Sequence, residues 1–335
     1  MKFFASAFVA LASACIAFAL GQGTFDRTLR TSGQVHLDVR SDIGGITLTG
    51  GSSEAVRVHA VLKAQYGPID LARAEAHIRA LEQNPPIEQS GESIRIGYPK
   101  DPSLLEGVSM HLEIEAPQQS QIQAHTSSGG IRVDGIGGPV QAQSHSGRVE
   151  LRAIVKDVRA VTHSGVIIIQ KVGGPVFAQN DSGGIRVADS HQVTSQTGSG
   201  RIEIANTTGE TRAITHSGSI FIHKANGVVF ARNNSGSVEA AEIAGAINVQ
   251  TGSGAIRLSQ VKAAPIRARA NSGIIRVKLA PGAGYTIAAR SDRGRISIPQ
   301  MKAQGKIERH QVDGSIGAGG PLVDVGTDSS KIVID

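Results

Sequence analysis

Histidine recurs in this 335-residue chain at a spacing that could build a metal site or a hydrolytic dyad. His145, His163 and His216 each stand two residues before a glycine in a repeated Ser-Gly motif, and Asp181 and Asn234 hold the same place in other copies. If the copies stack, His145, His163 and Asp181 lie about 5 Å apart on successive rungs, within reach of one cation. The competing reading is a turn, where His, Asn, Asp and Ser hydrogen-bond the local backbone. Gly198 and Gly252 share the column and favour the turn. A Ser164, His163 and Asp181 triad is weaker, because adjacent turn residues point apart and no oxyanion loop accompanies them. No catalytic residue, metal or cofactor is assigned.

The elements that carry these residues come from a repeat. Ser-Gly pairs recur with glycines at 129, 147, 165, 183, 200, 218, 236, 254 and 273, and Gly294 continues the series after a longer gap. Two and four residues past every one of these glycines the residue is apolar, as in Ile131/Val133, Ile202/Ile204 and Ile275/Val277. That is period-two alternation, a short strand with one buried face. A second strand in each repeat has inward pairs such as Val140/Ala142, Val176/Ala178 and Val229/Ala231, whose small second member implies a thin interior. One repeat cannot bury its own strands, but stacked copies share a core. The fold class expected is all-β: a parallel β-solenoid of about ten 18-residue coils, each rising ~4.8 Å.

Composition fits such a core. The chain has 41 glycines, no tryptophan and only 3% aromatic residues, against 40% hydrophobic residues overall. It is too apolar for disorder and too poor in rings for stacking platforms that bind bases or sugars.

Outward columns carry the charge. Three residues past the glycines, Arg132/Glu150, Arg186/Glu203 and Glu239/Arg257 put opposite charges one rung apart, whereas Arg257 beside Arg276 does not. Residues 255–310 hold a net charge of +10, against −1 before them and −3 after. Arg257, Arg267, Arg269, Arg276 and Lys278 all take outward slots there. They suggest a basic face for an anionic polymer such as acidic polysaccharide or lipopolysaccharide, although a merely solvated face is the plainer reading. Nucleic acid is a poor fit without aromatic interleaving. Ile168, Phe177, Phe221 and Phe230 also fall in outward slots, an apolar surface for the rest of the chain or another envelope protein to cover.

Domain organisation follows from texture. Lys2 and the apolar run 3–20 read as a secretory signal peptide spanning 1–21, with small-x-small sites at 17–19 and 19–21. Cys15, the single cysteine, offers a lipoprotein alternative on a misfitting pattern. Residues 22–120 read as an N-terminal β-rich cap with a helix at about 69–83, 121–298 as the solenoid, and 299–335 as an excursion with a closing strand in which Ser330 takes the glycine slot. An exported protein is expected, in the periplasm, on the outer surface or secreted, with no transmembrane span after signal removal.

GTFDRTL at 23–29, the GGITLTG segment and the tandem HSGxIxI and TGSGxIxL strands resemble the bacterial putative-adhesin family, a domain-of-unknown-function family of exported β-solenoid proteins. The resemblance covers nearly all of the chain beyond the leader and rests on register. It implies a surface or adhesive role and brings no catalytic residues. The reading is a non-enzymatic exported adhesin or envelope scaffold. One alternative is an envelope solenoid that polymerises end to end, as bactofilin-like proteins do. Another is a carbohydrate-active β-helix enzyme, which needs a carboxylate cluster that this register does not supply. Glycine strings such as GAGG at 317–320 lack the strand-to-helix setting of a nucleotide loop.

Overall fold

The computed structural model describes residues 21–52, 54–65, 69–298 and 303–335; residues 1–20 of the expected leader, with Cys15, lie outside them. Two sheets, of 15 and 16 strands, face each other across a core of Ile, Val, Leu and Ala. The chain passes from the 16-stranded sheet to the 15-stranded one at every Ser-Gly corner, as from Val140–Ser146 to Val149–Ile154. Parallel pairing in constant register repeats this step along the stack. The fold is the expected parallel β-solenoid.

The corner depends on glycine for two separate reasons. At Gly218 φ is +137°, a conformation that L side chains rarely adopt, and a Cβ there would overlap the carbonyl of Gly200 in the preceding coil. The corner also holds a buried polar column that periodicity did not single out. Thr126, Ser144, Thr162, Asn180, Thr197, Thr215, Asn233 and Thr251 point inward three residues before the glycines. Several donate to glycine carbonyls, as Asn233 Nδ2 does to the oxygens of Gly218 (3.1 Å) and Gly236 (2.8 Å). These bonds satisfy carbonyls that the tight corner removes from the ladder.

Farther along, alternation breaks. Ala153, Lys171, Asp189, Asn206, Lys224 and Glu242 occupy one column with φ between +52° and +58°. The extra residue acts as a bulge, so Ile154, Val172, Ala225 and Ile243 turn inward three residues after the preceding inward position rather than two. Asp and Asn tolerate this left-handed conformation better than Ala, Lys or Glu.

The ends differ from the middle. His36–Ile43 and Ile46–Gly51 form a coil of their own, paired in parallel with Gln121–Ser128 and Ile131–Asp134, and Gly44 is its corner. Val108–Pro117, Ala55–Ala64 and Gln22–Arg30 extend the 15-stranded sheet beyond it. The helix Leu71–Gln83 starts two residues later than expected because Asp70 caps it, accepting from Arg73 N–H at 2.7 Å. It buries Ala74, His77, Ile78 and Leu81 and packs against Gln22–Arg30 and Ala55–Ala64.

At the far end the coil order is not the chain order. Leu322–Thr327 lies between Ile266–Ser272 and Tyr285–Ser291, and Ile332–Ile334 lies between Ile275–Lys278 and Ile296–Ser297. Gly273 N–H donates to Ser330 Oγ at 3.0 Å, and a Cβ on Gly294 would overlap the Ser330 carbonyl. The corner stack therefore runs Gly273, Ser330, Gly294. Residues 299–302 lie outside the described residues, and beyond them Ala303–Ile307 and Gln311–Ile316 form an antiparallel hairpin on Tyr285–Ser291.

Two substitutions with opposite signs test this account. Gly218→Ala should lose about 2–4 kcal/mol. Lys171→Gly should gain about 0.5–1 kcal/mol, since glycine relieves the left-handed strain at some entropic cost. Urea unfolding of both variants measures them, and a destabilised Lys171→Gly would contradict the role assigned to that column.

Candidate binding surfaces

Outward side chains of the two sheets leave the molecule on opposite sides, and this sorts every residue singled out above. Arg257, Arg276 and Lys278 belong to the 15-stranded sheet, whereas Arg267 and Arg269 belong to the 16-stranded one. A single basic face made of all five is therefore not what the fold builds. Sequence alternation distinguishes inside from outside but treats both outsides alike.

On the 16-stranded side the basic pair is occupied. The inserted strand Leu322–Thr327 aligns Asp324 with Arg267. Arg269 Nη2 lies 2.6 Å from Asp324 Oδ2 and its Nη1 donates to the Asp324 carbonyl at 2.9 Å, while Arg267 Nε is 3.8 Å from the same carboxylate. Arg269 also lies over Gly326, where there is no side chain to displace it.

On the 15-stranded side the cations stand open. Arg257 and Arg276 are direct cross-strand neighbours. Lys331 follows beside Ile274, since Ile275 N–H bonds the Lys331 carbonyl at 3.1 Å, and Arg295 is next, its carbonyl bonded by Ile332 N–H at 3.0 Å. All four are exposed, and none is ion-paired among the described residues. Lys278 stands at the rim, level with Asp335, whose backbone bonds Val277 and Leu279. Lys331 and Arg295 went unnoticed because the strand order that brings them together is not the chain order. Glu239 and Arg257 are opposite each other in register but form no ion pair.

Nearer the middle of the rod the arginines of the same sheet are ion-paired, two to each glutamate. Arg132 and Arg148 reach Glu150 at 3.2 and 3.7 Å, and Arg186 and Arg201 reach Glu203 at 2.7 and 3.1 Å. Burial alone would push the Glu203 carboxyl up, but its hydrogen bonds to Arg186 and Arg201, with their charges, outweigh burial and hold it below the ordinary value. Around these pairs lies an open groove of about 590 Å³, floored by Val166 and Ile168 and flanked by Arg148, Arg186 and Arg201.

The four apolar residues do not form one patch. Ile168 and Phe221 lie on the 15-stranded sheet, three rungs or ~14 Å apart, and Phe177 and Phe230 are likewise separated on the other sheet. Each ring is covered by an arginine one rung before it: Arg159 over Phe177 at 4.4 Å, Arg201 over Phe221 at 4.6 Å and Arg212 over Phe230 at 4.2 Å. Half-buried in this way, the rings pack within the chain through cation–π contacts.

The histidine column lies at the ends of strands rather than in turns, with side chains outward. The rings of His145 and His163 stack at 4.8 Å, and His163 Nδ1 is 2.5 Å from Asp181 Oδ2. His216 sits apart from them and bonds Asn234 at 2.9 Å. Among the described residues no group of three or more His, Cys, Asp or Glu is arranged to hold a metal ion.

A protein built this way is a repeat solenoid whose surface is set by ladders of aligned side chains. Residues 108–335 match the family described as Toastrack DUF4097, and the chain belongs to it. No curated protein matches the chain. Solved structures similar to it include a putative cell adhesion protein from Clostridium sporogenes (8% identity, 93% of this chain and 98% of that one, TM-score 0.20). Others are a putative adhesin from Parabacteroides distasonis (10%, 76% and 96%, TM-score 0.42) and one from Bacteroides fragilis (12%, 93% and 97%, TM-score 0.22). Among the described residues no helix is long and apolar enough to cross a membrane.

Glu203→Gln tests the central ladder. The native carboxyl titrates below its unfolded value of 4.5, so its contribution is complete above that pH and is lost as pH falls through the lower folded value. The variant should be about 0.5–1 kcal/mol less stable at neutral pH, and the deficit should vanish once the pH has fallen below the folded value of the native carboxyl. Urea melts at neutral and acid pH decide the matter; a deficit that persists in acid would assign the loss to packing.

Proposed function

We propose that this chain is an exported, non-enzymatic solenoid of adhesin type that binds an acidic polysaccharide, lipopolysaccharide included. The contact is the open end of the 15-stranded sheet, where Arg257, Arg276, Lys331 and Arg295 stand on successive rungs. What carries the reading is the contrast along one face: Arg132, Arg148, Arg186 and Arg201 are each tied to a glutamate, whereas these four are exposed and unpaired among the described residues. Arg257 and Arg276 share one column and Lys331 and Arg295 the next, two residues along the strands, so rungs ~4.8 Å apart offer a linear polyanion a staggered double row of cations. A rigid backbone means that little ordering is needed on binding. Adhesion and an envelope location also agree with the family resemblance and the apolar leader.

An enzyme reading finds less support, since Glu150 and Glu203 are held by arginines rather than aimed at a shared cleft. Turnover of a polysaccharide by the purified protein, abolished by a single carboxylate substitution, would overturn the non-enzymatic reading.

Binding to immobilised polyuronate and to lipopolysaccharide vesicles, followed across salt concentration, tests the proposal. Replacing Arg276, Lys331 and Arg295 together by Ser should weaken binding about tenfold, at ~0.5 kcal/mol for each exposed cation. Replacing Arg267 and Arg269 should leave it nearly unchanged, because Asp324 already neutralises them. Equal losses in the two variants would mean that net charge alone is being read.

A further inference from the structure

A stack of coils has ends, and a sheet end presents unpaired N–H and C=O groups. Four strands end the two sheets. Three are short: Ile296–Ser297 has two residues, Ile87–Ser90 four and Ala303–Ile307 five. Shortness is one ordinary protection against unwanted pairing. The fourth, Gln22–Arg30, has nine residues and, among the described residues, pairs on one side only, with Ala55–Ala64.

The direction of its free groups is set by the ladder. Ala64 N–H bonds the Gly21 carbonyl at 2.7 Å, so odd-numbered residues bond to the neighbouring strand and even-numbered ones turn their N–H and C=O groups away. The helix covers the start of this edge, where Glu82 Oε1 accepts from Thr24 N–H at 2.8 Å. Asp26, Thr28 and Arg30 lie beyond that cover and are exposed; the Asp26 carbonyl accepts from Arg27 Nη1 and the Arg30 carbonyl from Gln89 Nε2, both at 2.8 Å, side-chain bonds that share these oxygens with a pairing strand or give way to it. Asp26 also touches His59 Nδ1 at 2.8 Å, yet its side chain remains 77% exposed and able to accept more.

We propose that this edge joins two copies of the chain, antiparallel about a two-fold axis through Thr28. Thr28 then faces the partner's Thr28, and each Asp26 faces the partner's Arg30, so both ion pairs arise from one symmetric contact. The register is selective. Centring on Asp26 opposes two carboxylates and needs Thr24, which Glu82 occupies. Centring on Arg27 opposes two guanidinium groups. Centring on Leu29 shortens the bonded ladder. Charges on an edge often keep strands apart, but here opposite signs four residues apart meet when the strand pairs with itself.

The contact closes on itself. Each copy uses its one long edge, and the remaining ends are short, so the product is a dimer and not a filament. Its two rods share their N-terminal ends and carry their cation clusters at the far ends, an arrangement suited to bivalent binding. The inference does not depend on the polyanion reading.

Light scattering after size-exclusion chromatography of the purified protein tests it. The native protein should elute with twice the mass of one chain. Thr28→Pro removes only an outward N–H, which the neighbouring strand does not use, and should give the mass of one chain with an unchanged thermal melt. Asp26→Arg and Arg30→Asp should each give single chains, and the double variant should regain the doubled mass. A native protein with the mass of one chain overturns the proposal, as does a dimer that survives Thr28→Pro and both charge reversals, or a double variant that stays dissociated.

Discussion

The fit of one corner glycine against the carbonyl of the next governs this molecule. At Gly218 there is neither conformational freedom nor space for a side chain, and the same holds at Gly200 before it. Each coil must therefore place its corner directly over the last, and once corners align, every other position aligns as well. The inward columns become a continuous apolar core, the buried Thr and Asn column meets the glycine carbonyls, and the outward columns become ladders. Two rigid sheets then follow from a short-range steric rule applied many times.

That geometry also explains the scarcity of aromatic residues. The interior is only two strands deep, and Val opposite Ala fills it, so large rings have little place there. The buried rings lie outside the regular coils: Phe25 in the N-terminal strand, and Tyr285, fully buried where the repeat changes. In that region the strand Ile256–Gln260 lacks the bulge, and Gln260 takes the inward slot that Ile243 holds one coil earlier. Its amide donates to the carbonyls of Gly245 and Ala264 and its oxygen accepts from the Tyr285 hydroxyl at 3.2 Å. A buried polar network replaces an apolar layer, with every partner satisfied.

Function on such a scaffold is a matter of what the ladders leave unpaired. Nearer the middle of the 15-stranded sheet, arginines on neighbouring rungs share a glutamate, and three half-buried rings lie under arginines. Surplus collects at the ends, where the repeat stops supplying partners. The C-terminal end of the 15-stranded sheet has four cations unpaired among the described residues, and the N-terminal end has a strand with a neighbour on one side. Both proposed contacts are consequences of termination rather than of any pocket in the body.

Much of this was legible in the residues. Glycine spacing and alternation identify the parallel solenoid and its thin apolar core, and residue types place the helix at about 69–83, because local sterics and burial decide those features. The Arg132/Glu150 and Arg186/Glu203 pairs were legible too, since neighbours in the repeat are neighbours in space. Tertiary structure alone decided the rest. Which outside an outward residue faces depends on the sheet it joins, so Arg267 and Arg276 parted company although both point to solvent. The placement of Leu322–Thr327 and Ile332–Ile334 inside the stack brought Asp324 to Arg269 and set Lys331 beside Arg295. Periodicity records the step from one coil to the next in the chain, and it carries no information about a strand that returns out of order.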